Sequence, residues 1–412
     1  MSPTRVALVA GGGTAGHVQP ALAVAREIEA RMGEGSVELV GSRRGLERAI
    51  LADTGLPVSL LPGRGIARRL SPRAVVDNVV ALAGLAMAAC MALGLVVRRR
   101  PRVVVAVGGY ASVPVALAAA LARVPVVLVN VDAVPGAANR LVARFARASA
   151  VAWPGTDLAR AVVTGAPVRP AVAALARARG RALGRALGQA QGGRGDGVGG
   201  GKAASPRATL GLPDGRTVVA AVGGSLGARR LNEAVLSLAG TWAERGDLAL
   251  YHVVGRRDAE WAAAESPVPA DGSGGAHVLW YRQVPYESRL EQVLAAADVL
   301  VSRAGGMTVA EIAVVGTPAL LVPLPGAPGD HQRANARVLV DSGAAVLVDD
   351  EDCTGRRLAA ELAALLDAPG RLDAMADAAA ALGRPDAAAA VAELVLHHAR
   401  ATRPVHAVEG TP

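Results

Sequence analysis

The stretch Arg5–Gly16 reads RVALVAGGGTAG, and Val218–Gly227 reads VVAAVGGSLG. In each, a short apolar run gives way to a cluster of glycines. A helical pattern follows, over Pro20–Arg31 in the first case and Arg229–Leu238 in the second. A run that is apolar at consecutive positions reads as a strand buried on both faces. Glycines just beyond it let backbone N–H groups and a helix N-terminus approach a phosphate closely. Two such openings predict an α/β fold with two Rossmann-like domains. Working outward, Val37–Val40, Val103–Val107 and Val126–Val129 continue the first sheet, with Pro101 and Pro125 at strand entries. Leu250–Val254, Val278–Tyr281, Val299–Ser302, Ala319–Val322 and Ala345–Val348 continue the second.

The 412 residues suit two domains of ordinary size. The expected division is a first domain over 1–170, a Gly-rich linker over 171–208, a second domain over 209–398 and a frayed tail over 399–412. The linker contains GQAQGGRGDGVGGGKAASP at Gly188–Pro206, which carries too little apolar area to offset its ordering entropy. A formal net charge of +9 favours anionic partners such as phosphate esters or acidic lipid. Nucleic acid is not expected, because aromatics for base stacking make up only 2% of the chain. The two cysteines, Cys90 and Cys353, lie far apart without metal-ligand spacing, which points to a reducing compartment. Met1–Arg5 leads straight into the first strand, so no secretory signal is expected.

Val79–Val97 carries no charge and is flanked by Arg73 on one side and Arg98, Arg99, Arg100 and Arg102 on the other. Its length approaches the roughly 20 residues of a membrane span. A span would put the strands on either side of it across the bilayer, unable to share a sheet. A helix packed on the sheet, with an exposed face and arginines for anionic headgroups, keeps the sheet intact and predicts a peripheral membrane patch.

Gly11–Gly16 matches G-x-G-x-x-G, the fingerprint of a dinucleotide-binding oxidoreductase. That reading needs an acidic residue at the end of the second strand. Glu38 lies inside the strand and Gly41-Ser42-Arg43-Arg44 follows it, so the oxidoreductase is weakened. His17, at the start of the helix, is placed to act as a base or to hydrogen-bond the reacting groups. Arg303-Ala304-Gly305-Gly306-Met307-Thr308 opens another helix, with Glu311 placed to accept hydrogen bonds from two ribose hydroxyls. Asp330-His331-Gln332 is a polar cluster suited to sugar hydroxyls. Asp349-Asp350-Glu351-Asp352 reads as a solvated loop, and neither a catalytic metal nor a cofactor is expected.

GGGTAGHVQPALAVA at Gly11–Ala25, VGGYASVPVALAA at Val107–Ala119, VTGAPVRP at Val163–Pro170, GGSLGARRLN at Gly223–Asn232, SRAGGMTVAEIAVVGTPALLVPLP at Ser302–Pro325 and DHQRANA at Asp330–Ala336 together resemble the MurG family. These bacterial enzymes transfer N-acetylglucosamine from UDP-N-acetylglucosamine to lipid I, making lipid II for peptidoglycan, cell shape and division. The resemblance implies a GT-B fold, inversion, a UDP-N-acetylglucosamine donor and an undecaprenyl-diphosphate-linked acceptor. It also implies peripheral attachment to the cytoplasmic side of the cell membrane, with the first domain facing acceptor and membrane and the second holding the donor. By the same resemblance Thr14, Ala15 and Gly16 line the sugar and diphosphate side, and Arg169 and Ser225 approach the diphosphate. Gly306, Met307, Thr308 and Val309 present backbone to it, Glu311 holds the ribose, and His331 and Gln332 face the donor sugar. Glu287 meets uracil through its backbone, while His17 and Tyr110 lie on the acceptor side. Val129-Asn130-Val131-Asp132 stands where the family reads His-Glu-Gln-Asn, so Asn130 and Asp132 occupy substrate positions with altered chemistry, and Asp132 could serve as a carboxylate base. The alternatives are a paralogue glycosylating another lipid or a natural product, and a non-catalytic UDP-sugar-binding relative.

Overall fold

The computed structural model describes residues 5–12, 15–43, 54–62, 72–109, 111–178, 204–224, 227–273 and 275–400, with the side chains of Ala15 and residues 72–83 excepted. Two compact units emerge. The first comprises Met1–Val131, Pro135–Arg169 and Asp386–Pro412, and the second Asp132–Val134 and Pro170–Pro385.

The first unit is built on a seven-stranded sheet with every pairing parallel. Its strands are β1 (Ala7–Ala10), β2 (Val37–Ser42), β3 (Val58–Leu61), β4 (Val103–Ala106), β5 (Val126–Asn130), β6 (Ala148–Val151) and β7 (Ala161–Val163), in the order β3-β2-β1-β4-β5-β6-β7. Alternate residues feed two cores. Ala7 and Val9 join the layer under helices α1 (Ala15–Met32) and α13 (Ala387–Arg400), while Leu8 and Ala10 join the layer under α2 (Pro72–Arg99), α3 (Ser112–Leu121) and α4 (Ala137–Ala143). Helix α1 starts at Ala15, more than a turn before the expected Pro20. Pro20 has no N–H, so the Gly16 carbonyl lacks its intrahelical donor.

The second unit repeats the plan with six parallel strands: β8 (Thr217–Val222), β9 (Leu248–Val253), β10 (Trp280–Val284), β11 (Val299–Ser302), β12 (Ala319–Leu321) and β13 (Ala345–Leu347), in the order β10-β9-β8-β11-β12-β13. Its helices are α5 (Pro206–Leu210), α6 (Arg229–Thr241), α7 (Ala259–Ala264), α8 (Leu290–Ala296), α9 (Gly306–Val315), α10 (His331–Asp341), α11 (Gly355–Leu366) and α12 (Arg371–Leu382). Ser205 caps α5 by accepting from the Ala208 N–H at 3.1 Å, so ordered structure resumes inside the stretch read as linker. Residues 170–178 are also helical. The Gly-rich centre of that stretch and most of the expected tail lie outside the described residues.

The expected second domain runs too far. Helix α13 buries Val391, Ala392, Val395, Leu396 and Ala399 in the first unit, beside Val9, Ile28, Val105 and Val127. Each large side chain buried there contributes roughly 1.5–3 kcal/mol. An amphipathic pattern says that a face is buried but not against which sheet. β3, β6 and β7 are not among the strands expected from the sequence; they are only three or four residues long.

Candidate active site

In a sheet of order 3-2-1-4, the loops after strands 1 and 4 diverge to opposite faces and leave a crevice at the carboxyl ends. Each unit has such a point, and the glycine motifs fall on it. In the first unit it lies between β1 and β4. His17 sits in the first turn of α1 against the glycine pair after β4. A Cβ on Gly108 would lie 2.8 Å from His17 Cδ2, and one on Gly109 only 1.6 Å from the Gly12 carbonyl oxygen. Both glycines have positive φ, 95° and 75°, so no other residue type lets the two loops meet this closely. Ser112 Oγ donates to the Gly109 carbonyl at 2.9 Å and ties the loop to α3.

Asn130 ends β5 but is 1% exposed, and its Oδ1 accepts from Asn139 Nδ2 at 2.8 Å. Asn139 in turn lies beside Gly108. Asn130 thus sits behind the His17–Gly108 contact and supports it through Asn139. Arg169, half-buried, closes the first unit. Thr14 and Tyr110 lie outside the described residues.

In the second unit the crevice lies between β8 and β11. After β11, Gly305 is extended (φ −64°, ψ 147°) and caps α9 without a side chain. The first intrahelical bond runs from the Val309 N–H to the Gly305 carbonyl at 2.9 Å. The amides of Gly306, Met307 and Thr308 therefore have no intrahelical acceptor, the geometry with which a helix start can take an anion. Val309 differs: its amide donates to the Gly305 carbonyl and its side chain is fully buried. Glu311 lies further along α9 and is 5% exposed.

The loop after β8 rests on a buried polar network. Asn232 Nδ2 donates to the Val254 carbonyl at 2.9 Å and to Asp258 Oδ2 at 3.0 Å. Its Oδ1 must then accept, which assigns the proton of His252 to Nε2, 3.1 Å away. His252 Nδ1 accepts from the Tyr281 hydroxyl at 3.0 Å, and that oxygen accepts from Gln283 Nε2 at 2.7 Å. Burial lowers the His252 pKa to about 3 and raises that of Tyr281. Gly227 (φ 80°) packs so tightly that a Cβ there would lie 2.9 Å from both Asp258 Oδ2 and the Val254 carbonyl. Nothing in the sequence reading singled out His252, Tyr281 or Asp258; the network joins residues from β9, β10 and α6 that only the fold brings together. Ser225 lies outside the described residues.

Glu287 follows β10. Its carboxylate accepts from the Tyr251 hydroxyl at 2.8 Å and from the Arg289 N–H at 2.8 Å. Burial works to raise its pKa, but these hydrogen bonds and the Arg289 charge prevail and hold it below the usual range; burial, then Glu287, raise that of Tyr251. With the side chain so engaged, the backbone is what the turn has to offer a ligand. On α10, Gln332 Oε1 accepts from the Leu324 N–H at 2.9 Å and His331 Nδ1 lies 3.0 Å from the Pro328 carbonyl. Asp132 belongs by its contacts to this second unit, where its Oδ1 accepts from Asn335 Nδ2 at 2.9 Å.

The acidic run after β13 is only half solvated: Glu351 and Asp352 are exposed, but Asp349 and Asp350 are ion-paired. Asp350 Oδ1 meets Arg303 Nη1 at 2.6 Å with both side chains largely buried, and Asp349 Oδ1 meets Arg333 Nη2 at 2.5 Å. These pairs fasten the end of β13 to the α9 entry and to α10. Among the described residues, no three His, Cys, Asp or Glu side chains are grouped to hold a metal ion.

Two Rossmann-type units with glycine loops at their switch points make a GT-B fold, and the family matches make the chain a GT-B glycosyltransferase. Residues 7–151 match the glycosyltransferase family 28 N-terminal domain and residues 218–391 the family 28 C-terminal domain, and the chain belongs to this family. It is 36% identical to the UDP-N-acetylglucosamine--N-acetylmuramyl-(pentapeptide) pyrophosphoryl-undecaprenol N-acetylglucosamine transferase of Desulforudis audaxviator, covering 94% of this chain and 97% of that one. It is 39% identical to the protein of the same name from Moorella thermoacetica, covering 94% and 98%. Among solved structures, Acinetobacter baumannii MurG aligns with a TM-score of 0.67 at 26% identity, over 96% of this chain and 100% of that one. The calicheamicin glycosyltransferase CalG4, 14% identical with a TM-score of 0.62 over 98% of this chain and 100% of that one, shares the fold alone.

Proposed function

We propose that this enzyme transfers N-acetylglucosamine from UDP-N-acetylglucosamine to lipid I, forming lipid II, with inversion at the anomeric carbon. The observation that carries this reading is identity of 36–39% to transferases of that name along nearly the whole chain. The anion-binding start of α9 supports it, with Glu311 beyond for the ribose hydroxyls. In such a transfer the acceptor hydroxyl attacks from the face opposite the departing UDP. A base must take the hydroxyl proton, and positive or dipolar groups must stabilise the diphosphate. Gly306, Met307 and Thr308 supply amide dipoles for the diphosphate, and Arg169 and Ser225 add to them. Gln332, His331 and Asp132 serve the donor sugar, and the backbone at Glu287 serves uracil. Thr14, Ala15 and Gly16 line the sugar and diphosphate side, while His17 and Tyr110 serve the acceptor side, where His17 or Asp132 takes the proton.

The same reading places the enzyme peripherally on the cytoplasmic face of the membrane. Among the described residues no helix is long and apolar enough to cross a bilayer. Helix α2 packs Ala88, Ala92, Leu95 and Val96 on the sheet and exposes Met87, Met91, Leu93 and Val97. Leu117 and Leu121 of the adjoining α3 are exposed too, as are Arg98, Arg100 and Arg123. An apolar patch with arginines beside it suits anionic lipid.

The test is purified protein with radiolabelled UDP-N-acetylglucosamine and lipid I in detergent. Labelled lipid II is expected. UDP release with another lipid acceptor but none with lipid I would move the reading to a paralogue, as the altered Asn130 and Asp132 positions allow. Donor binding without any transfer would leave a non-catalytic relative.

A further inference from the structure

We propose that Asn335 is a positioning residue for this transfer, holding Asp132 and the entry to α9 in register without itself touching substrate. Asn335 lies one turn into α10 and is fully buried. Its Nδ2 donates to Asp132 Oδ1 at 2.9 Å and to the Ala304 carbonyl at 3.2 Å, and its Oδ1 accepts from the Ala133 N–H at 2.7 Å. One planar amide thus satisfies groups on two stretches of chain that are far apart in sequence.

Both stretches lead to the donor. Ala304 directly precedes Gly305, whose extended backbone starts the α9 amides. Asp132 is the residue read above as facing the donor sugar, and the proposal rests on that reading. A buried amide is a costly way to fill space unless every polar atom is matched, and once matched it selects one geometry. The chemistry admits few substitutes. An apolar residue would leave the Ala133 N–H and the Ala304 carbonyl without this partner, and a carboxylate could accept from Ala133 but not donate to Asp132. The sequence reading passed over Asn335 because an Asn inside a helix carries no sign of what it faces.

The test uses Asn335→Asp, Asp132→Asn and the two combined, with kcat and KM for UDP-N-acetylglucosamine measured from pH 6 to 9 and thermal unfolding alongside. In Asn335→Asp two carboxylates face each other, so they hold one proton between them only at lower pH. At pH 8 kcat/KM should fall by about tenfold or more, as for an unmatched buried polar group, and recover as the pH drops. Adding Asp132→Asn supplies a donor from the other side. It should flatten the pH profile and recover about threefold or more of the lost kcat/KM, the remainder reflecting the Ala304 carbonyl that no longer has a donor. Kinetics of Asn335→Asp within threefold of the parent at every pH overturn the proposal. So does a loss that is independent of pH and unrepaired by the second substitution, which would mark a purely structural role. If Asn335→Asp does not fold, Asn335→Ala carries the comparison: a loss in kcat/KM of about tenfold, chiefly through KM, is expected, and less than threefold overturns it. Asp132→Asn alone reads the charge at that position: unchanged kinetics there remove Asp132 as a base and leave Asn335 to be judged by the swap.

Discussion

Protonating His252 should unlatch the second unit. The imidazole is fully buried, and burial lowers its pKa from 6.5 to about 3. A histidine whose folded pKa is depressed stabilises fully above its unfolded value, and that contribution is lost as the pH falls from 6.5 toward 3. With those two values the loss at pH 5 is about 2 kcal/mol, and it approaches roughly 5 kcal/mol near pH 3. The hydrogen bonds supply the mechanism. A protonated ring donates from both nitrogens, yet Nδ1 faces the Tyr281 hydroxyl, which already accepts from Gln283. That hydroxyl would have to turn its proton elsewhere, while Nε2–H would go on donating to Asn232 Oδ1, so the cost falls on the Tyr281 side of the ring and on burying the charge. Trp242, Trp261 and Trp280 all lie in the second unit, so tryptophan fluorescence during urea unfolding reports on it. Wild type and His252→Gln should be compared at pH 7.5 and pH 5. Wild type should lose about 2 kcal/mol more than the variant, because only it has this group to titrate. Equal losses in the two proteins would show that the ring is not held neutral, and the network as described would be wrong.

Glu311→Gln keeps the shape of a buried carboxylate and removes its charge. KM for UDP-N-acetylglucosamine should rise about tenfold to a hundredfold, in line with 1.5–3 kcal/mol for hydrogen bonds to a charged group; a change under threefold removes Glu311 from the ribose. Gly109→Ala drives a methyl into the Gly12 carbonyl at a residue of φ 75°. The expected outcome is roughly 1–3 kcal/mol of strain and a steep fall in kcat as His17 shifts, read by thermal unfolding and turnover; wild-type turnover would show that the two loops are not coupled. Met87→Asp combined with Met91→Asp should weaken sedimentation with anionic vesicles about tenfold or more, given roughly 1.5–3 kcal/mol per buried Met, while turnover in detergent stays near wild type. Unchanged vesicle binding would move the membrane patch away from α2.

Strand–glycine loop–helix was legible in the sequence at both openings because it depends on local properties. Consecutive apolar residues mark a strand covered on both faces, and glycines mark backbone that a Cβ would block. The same holds for Gly305-Gly306, where the order of the residues alone marks a helix start with a glycine cap. Family membership was legible too, since several motifs recur in order along the chain. The sequence by itself therefore determined two Rossmann-type sheets, the glycine loops at their switch points and the class of chemistry. Only the tertiary structure decided which sheet receives α13, that Asn130 is covered while Asp349 and Asp350 are bound to arginines, and that His252 and Asn335 sit in matched polar networks. Those outcomes depend on partners that lie from 9 to more than 200 residues away, and no local pattern encodes which of many equivalent polar or apolar groups will meet.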